Sequence, residues 1–144
     1  MEDENIYFFE EDVQLRLDNE EAVRSWVREI IDSEGFENAG EINYIFCSDE
    51  YLLEINQDYL NHDTYTDIIT FDTSLSPSEI AGDIFISTER VMENAKDYKV
   101  SFHDELYRVM AHGILHLCGY NDETEEEVEK MRERESYYLE KINA

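Results

Sequence analysis

The apolar positions of residues 18–35, DNEEAVRSWVREIIDSEG, fall at Ala22, Val23, Trp26, Val27, Ile30 and Ile31. That three-to-four spacing lays one apolar stripe along a helix. Asp18 and Glu21 make a capping-box pattern at its start, and Gly35 supplies its stop. Ahead of it, IYFFE at 6–10 reads as a short strand. After it, EINYIFCS at 41–48 is apolar on both alternations, the pattern of a strand covered on both faces. SDEYLLEINQDYL at 48–60 reads as a helix that starts at a Ser or Asp cap. A polar loop at 61–66 leads into the strand TDIITFDT, SLSPSE turns the chain, and IAGDIFIS at 80–87 forms another strand. Three helices follow, from Thr88 to about Lys99, at 101–118 and at about 124–142.

The order β, α, β, α, β, β, α, α, α predicts an α+β fold of the layered α/β kind. It consists of a small mixed four-stranded sheet with about five helices packed on it, in one domain spanning 1–144. The helix at 101–118 changes character along its length. Ser101 and Asp104 cap it, and its first half is apolar on one side only, at Leu106, Val109 and Met110. From Met110 onward Ala111, Ile114, Leu115 and Leu117 cover every side, which marks a buried helix. His112 and His116 therefore ride on a helix that runs into the core and stops at Gly119.

Those two histidines lie four residues apart, one above the other on one helix face, so their imidazoles can share a small ion. The turn at Gly119 lets residue 122 swing back towards them. The resulting pattern, H-x-x-x-H-x-x-G-x-x-D, comprises His112, His116 and Asp122. Its spacing is that of the zinc-protease signature H-E-x-x-H-x-x-G-x-x-H, with Asp as third ligand. Two His, a carboxylate and an open fourth position make a catalytic zinc arrangement. The Glu that serves such proteases as general base is absent: Gly113 stands there and cannot move a proton, so peptidase chemistry does not follow. Asp122 carries a second reading. Asp122–Glu125 and Thr124–Glu127 both match capping boxes, so Asp122 is a ligand, a helix cap or both.

Charge narrows the function classes. The net charge is −26, and no Lys or Arg occurs from Glu29 to Glu89. Phosphate contacts rest on basic residues, so DNA is not an expected partner, and an RNA role needs a local basic patch, a metal or a partner protein. The last helix offers Lys130, Arg132, Arg134 and Lys141, either as a solvated face or as such a patch. No apolar run is long enough to span a membrane, and the acidic N-terminus has no signal-peptide pattern, so a cytoplasmic location is expected. Cys47 and Cys118 are then read as small buried hydrophobes, not a disulfide.

HGILHLCGYND, at 112–122, resembles the H-G-x-L-H-L-x-G-Y-D-H signature of the YbeY family, bacterial metal-dependent endoribonucleases of rRNA maturation. INQDYLNHDTYTDIITF at 55–71 is similar to the family's LN..Y and TDVLSF segments, and Gly82-Asp83-Ile84 to its GDI strand. The likeness spans about residues 52–135. There are two departures: the family's third metal histidine falls at Asp122, and the active-site arginine that follows its LN..Y tyrosine falls at Leu60. His62, two residues on, is either a solvated loop residue or a partial substitute. Thr66 and Asp67 cap or brace the strand entry, and Tyr120 packs at the turn. Asp83, a carboxylate on a buried strand, needs a partner: a metal-bound histidine or an ordinary structural donor.

The resemblance implies a single metal ion on His112, His116 and Asp122, zinc first with other divalent metals open, the two histidines being catalytic through the water bound to that ion. It implies cleavage of single-stranded RNA, including processing of the small-subunit rRNA 3′ end, and ribosome quality control. Its implied partners are rRNA, the small ribosomal subunit and ribosome-associated proteins. Two other readings stay open: an assembly factor on the ribosome whose metal is mainly structural, and a metallohydrolase of another substrate.

Overall fold

A computed structural model describes residues 5–15, 17, 19–60 and 66–143, without the side chain of Leu60. The proposed cap Asp18, and His62, lie outside the described residues. Strands β1 (Ile6–Glu10), β2 (Asn38–Cys47), β3 (Ile68–Asp72) and β4 (Glu79–Ser87) form one mixed sheet of order β1-β2-β4-β3. β1 and β4 both pair with β2 in parallel, and β3 closes the edge antiparallel to β4. The helices among the described residues are α1 (Glu20–Ser33), α2 (Asp49–Leu60), α3 (Thr88–Tyr98), α4 (Phe102–Leu117) and α5 (Glu125–Asn143). The expected four-stranded mixed α+β architecture is the observed one.

The two faces of the sheet have separate cores. Ile42, Tyr44, Ile80, Ile84 and Ile86 pack with the apolar stripe of α1 and with α4 and α5. Cys47 and Ile69 pack on the other face with Leu52 of α2. Tyr44, fully buried, donates its hydroxyl hydrogen to the carbonyl of Met110 at 3.0 Å, which ties α4 to the sheet. Gly113 makes the close approach possible. A Cβ there would stand 3.0 Å from both Ile68 Cδ1 and Ile84 Cγ2. The missing protease glutamate thus marks a place where helix and sheet approach too closely for a larger side chain.

Local differences from the sequence reading have local causes. The side chain of Asn19, one residue beyond the proposed cap, accepts from the Ala22 N–H at 3.1 Å, which satisfies a donor that the first turn of α1 leaves open. β2 begins at Asn38, not 41, because a register shift between Ala39 and Ile42 absorbs the added residues. No helix among the described residues is long and apolar enough to cross a membrane. Both cysteines are free thiols, pushed up to about 12 by burial.

Candidate metal centre

The C-terminal half of α4 presents His112 and His116 with ring centroids 5.2 Å apart. The helix then ends sharply. Gly119 adopts φ +107°, and the N–H groups of Gly119 and Tyr120 return to the carbonyls of His116 and Leu115. That left-handed step needs glycine and reverses the chain. Asp122 comes back over the histidines, its Oδ2 3.3 Å from His112 Nε2 and its Oδ1 3.6 Å from His116 Nε2. One ligand atom from each residue lies within 4.8 Å of the others.

The cap reading of Asp122 is resolved by α5. Thr124 Oγ1 accepts from the Glu127 N–H at 3.1 Å, and Glu127 Oε1 accepts from the Thr124 N–H at 3.0 Å. The capping box is Thr124–Glu127, which leaves the Asp122 carboxylate facing the two imidazoles.

Behind His112 stands a residue that the sequence reading passed over. Glu135 of α5 is 5% exposed, and its Oε2 accepts from His112 Nδ1 at 2.7 Å. Arg108 Nη1 donates to the other oxygen of Glu135 at 3.1 Å. With Nδ1 carrying the proton, the Nε2 lone pair of His112 points towards Asp122. Burial opposes a charged His112, but the Glu135 hydrogen bond and charge, with Asp122 and Asp67, outweigh it and raise its pKa. The site therefore favours a positive charge at this point, whether a proton or a cation.

These donors suit one small divalent ion. Each carboxylate oxygen of Asp122 faces a different imidazole, Oδ2 towards His112 and Oδ1 towards His116, and two imidazoles with one carboxylate are a donor set that zinc takes. The arrangement of carboxylate, histidine and metal position is the one that orients metal-binding imidazoles. The site opens into a cleft of about 350 Å³, lined also by Asp67, Asn94, Tyr98, Glu105 and Arg132. Burial raises the Asp67 carboxyl, partly offset by His112. Burial and then Asp67 push Glu105 up to about 7, against the pull of Arg108. Both carboxyls line the cleft, whereas Gly113 in the motif carries no titratable group.

Asp83 takes the ordinary structural partner: its Oδ1 accepts from Asn43 Nδ2 at 2.9 Å. Gly82 and Ile84 on either side of it face α4, so strand alternation turns Asp83 to the opposite face of the sheet, away from the histidines. Tyr120 does pack at the turn, and its hydroxyl donates to Glu34 Oε1 at 2.7 Å. Asp67 braces the strand entry, since its carbonyl accepts from the Ser87 N–H at 3.0 Å, while its side chain lines the cleft. A sequence signal for Glu135 did exist. It sits four residues after Met131 and three before Tyr138, on the buried stripe of an otherwise charged helix. A lone carboxylate at such a position calls for a cationic or donor partner.

Comparison with known proteins gives consistent matches. The family described as Endoribonuclease YbeY matches residues 5–143. A Flavobacterium johnsoniae protein of that name is 57% identical over 127 residues, covering 88% of this chain and 90% of its own length. One from Cytophaga hutchinsonii is 52% identical over 139 residues, 96% of each chain. A Thermotoga maritima protein of known solution structure superposes with a TM-score of 0.66 at 28% identity, covering 95% of this chain and 88% of that one.

Proposed function

This chain belongs to the YbeY endoribonuclease family, and from that premise we propose that the cleft above His112, His116 and Asp122 is where it cuts RNA. The protein is a metal-dependent endoribonuclease, a hydrolase of phosphodiester bonds that acts in rRNA maturation. The observation that carries the site is the convergence of two imidazoles and one carboxylate within 4.8 Å. In this reading the ion is zinc and the substrate is single-stranded, including the small-subunit rRNA 3′ end. The work is done in the cytoplasm with the ribosome and its associated proteins, and extends to ribosome quality control.

Bound zinc would supply Lewis acidity, polarising a phosphoryl oxygen and acidifying a water. The protein's own groups do the rest. Glu135 fixes the His112 tautomer so that Nε2 faces the cleft. Asp122 brings a negative charge that offsets the cation and is 40% exposed at its side chain, so the donors border solvent. Openness of this kind suits catalysis, whereas structural zinc is enclosed by four protein ligands. Asp67 and Glu105 stand in the same cleft as candidate proton acceptors; burial raises the Asp67 carboxyl and pushes Glu105 up to about 7, the range in which such work is efficient for Glu105.

The test is cleavage of a labelled single-stranded oligoribonucleotide and of its duplex by purified protein with zinc, beside His116→Ala. The reading expects single-strand cuts that vanish with chelator and fall at least about a hundredfold in the variant. Undiminished cleavage by His116→Ala would remove the metal mechanism.

A further inference from the structure

We propose that Arg132 and Tyr98 form a nucleotide subsite on the rim of the metal cleft, where the guanidinium holds a backbone phosphate and the ring stacks a base of the RNA strand. This rests on the reading of the protein as a ribonuclease. The argument begins with charge. A protein of net charge −26 repels a polyanion, so its few cations near the site matter disproportionately.

Most arginines among the described residues are already committed to carboxylates. Arg24 pairs with Glu20 and Glu21, Arg28 with Asp32, Arg90 with Asp49 and Arg134 with Glu34. Arg108 lines the cleft, but its guanidinium is bound to Glu135 and Ser136. Arg132 differs. It is exposed, lines the same cleft as the two histidines and Asp122, and has no carboxylate within ion-pair distance among the described residues. Its guanidinium instead lies 5.9 Å from the centroid of the Tyr98 ring, at the reach of a cation–π contact.

Tyr98 ends α3, is 54% exposed and lines the same cleft. An exposed aromatic beside an uncommitted arginine is the pair of surfaces that single-stranded RNA uses. Bases stack on the ring or on the guanidinium plane, and the planar fork donates two parallel hydrogen bonds to a phosphate. Duplex RNA has its bases already stacked and cannot use the ring, so the subsite favours single strands.

Arg132→Ala, Arg132→Lys and Tyr98→Leu are compared with wild type in the zinc-loaded protein. The readouts are steady-state cleavage of a single-stranded oligoribonucleotide, its salt dependence, and zinc content. Arg132→Ala is expected to raise KM about tenfold, the weight of one charge-assisted contact. It should also lower the slope of log affinity against log salt by about 0.7, the single-strand value for one phosphate. Arg132→Lys should recover most of the slope and part of the KM, and Tyr98→Leu should raise KM without changing the slope. Zinc content should stay at the wild-type level throughout. Wild-type KM and slope in Arg132→Ala would overturn the subsite alone. A wild-type protein that neither binds nor cuts single-stranded RNA would overturn both the subsite and the functional reading.

Discussion

Replacing Glu135 by Gln changes little in shape but removes what the site needs from it. Glu135 faces two donors: His112 Nδ1 at 2.7 Å and Arg108 Nη1 at 3.1 Å. A carboxylate accepts from both, whereas an amide has one accepting oxygen and one donating nitrogen. If the Gln oxygen serves His112, the amide N–H abuts Arg108. If the oxygen serves Arg108, the amide N–H demands the other His112 tautomer, with the proton on Nε2, where a metal ligand must have none. Loss of such an outer partner weakens metal binding by about 10–100-fold. Because Gln keeps one orientation competent, about tenfold is expected, or ~1.4 kcal/mol. Glu135→Ala should reach about a hundredfold. Folding stability should fall by only about 1–2 kcal/mol in Glu135→Gln, since Arg108 is 25% exposed and regains water. The assay is zinc affinity by competition with a chromophoric chelator, with denaturant unfolding of the metal-free protein as a control. Equal zinc affinity in wild type and Glu135→Gln would refute the claim that this carboxylate sets the His112 tautomer.

Three further outcomes follow from the same geometry. Glu105, held at about 7, lies above its unfolded value of about 4.5, so its contribution to stability is full below pH 4.5 and lost as the pH rises through 7. Glu105→Gln should therefore match wild type at pH 4 and be more stable by roughly 1–3 kcal/mol at pH 8 in metal-free protein, and a pH-independent difference would contradict this. Thr124→Ala removes the α5 cap and should cost about 1 kcal/mol in urea unfolding while leaving zinc affinity unchanged. Gly113→Glu, which restores the protease-like residue, would drive a carboxylate against Ile68 and Ile84. It should lower stability by about 3 kcal/mol or more in thermal melts, with no peptidase activity gained.

Much of this protein was legible along its chain because periodicity and caps are local. The stripe of α1, the doubly apolar β2 and β4 and the stop at Gly119 each announce themselves within about a dozen residues. The His112–His116–Asp122 grouping was legible for the same reason: a helix face and one tight turn determine it. The burial of Glu135 had a local signal, but its pairing did not, because His112 lies 23 residues away and becomes adjacent only when α5 packs on α4. The apolar strand around Asp83 suggested a buried carboxylate with a role at the metal, yet Asp83 is half-buried, and which face of the sheet a strand residue occupies depends on register, which is tertiary. The ambiguity of Asp122 had a similar origin. Two overlapping capping boxes are equivalent as text, and only the path of the turn selects Thr124.

The central claim is that Asp122 completes a metal site with His112 and His116. Its most direct test is zinc content and zinc affinity of wild type and Asp122→Ala after identical dialysis, by elemental analysis and chelator competition. Circular dichroism checks that α4 and α5 persist. One zinc per wild-type chain is expected, with affinity lowered in Asp122→Ala by about a hundredfold or more, beyond the loss of an outer partner. Unchanged stoichiometry and affinity in Asp122→Ala would contradict the account.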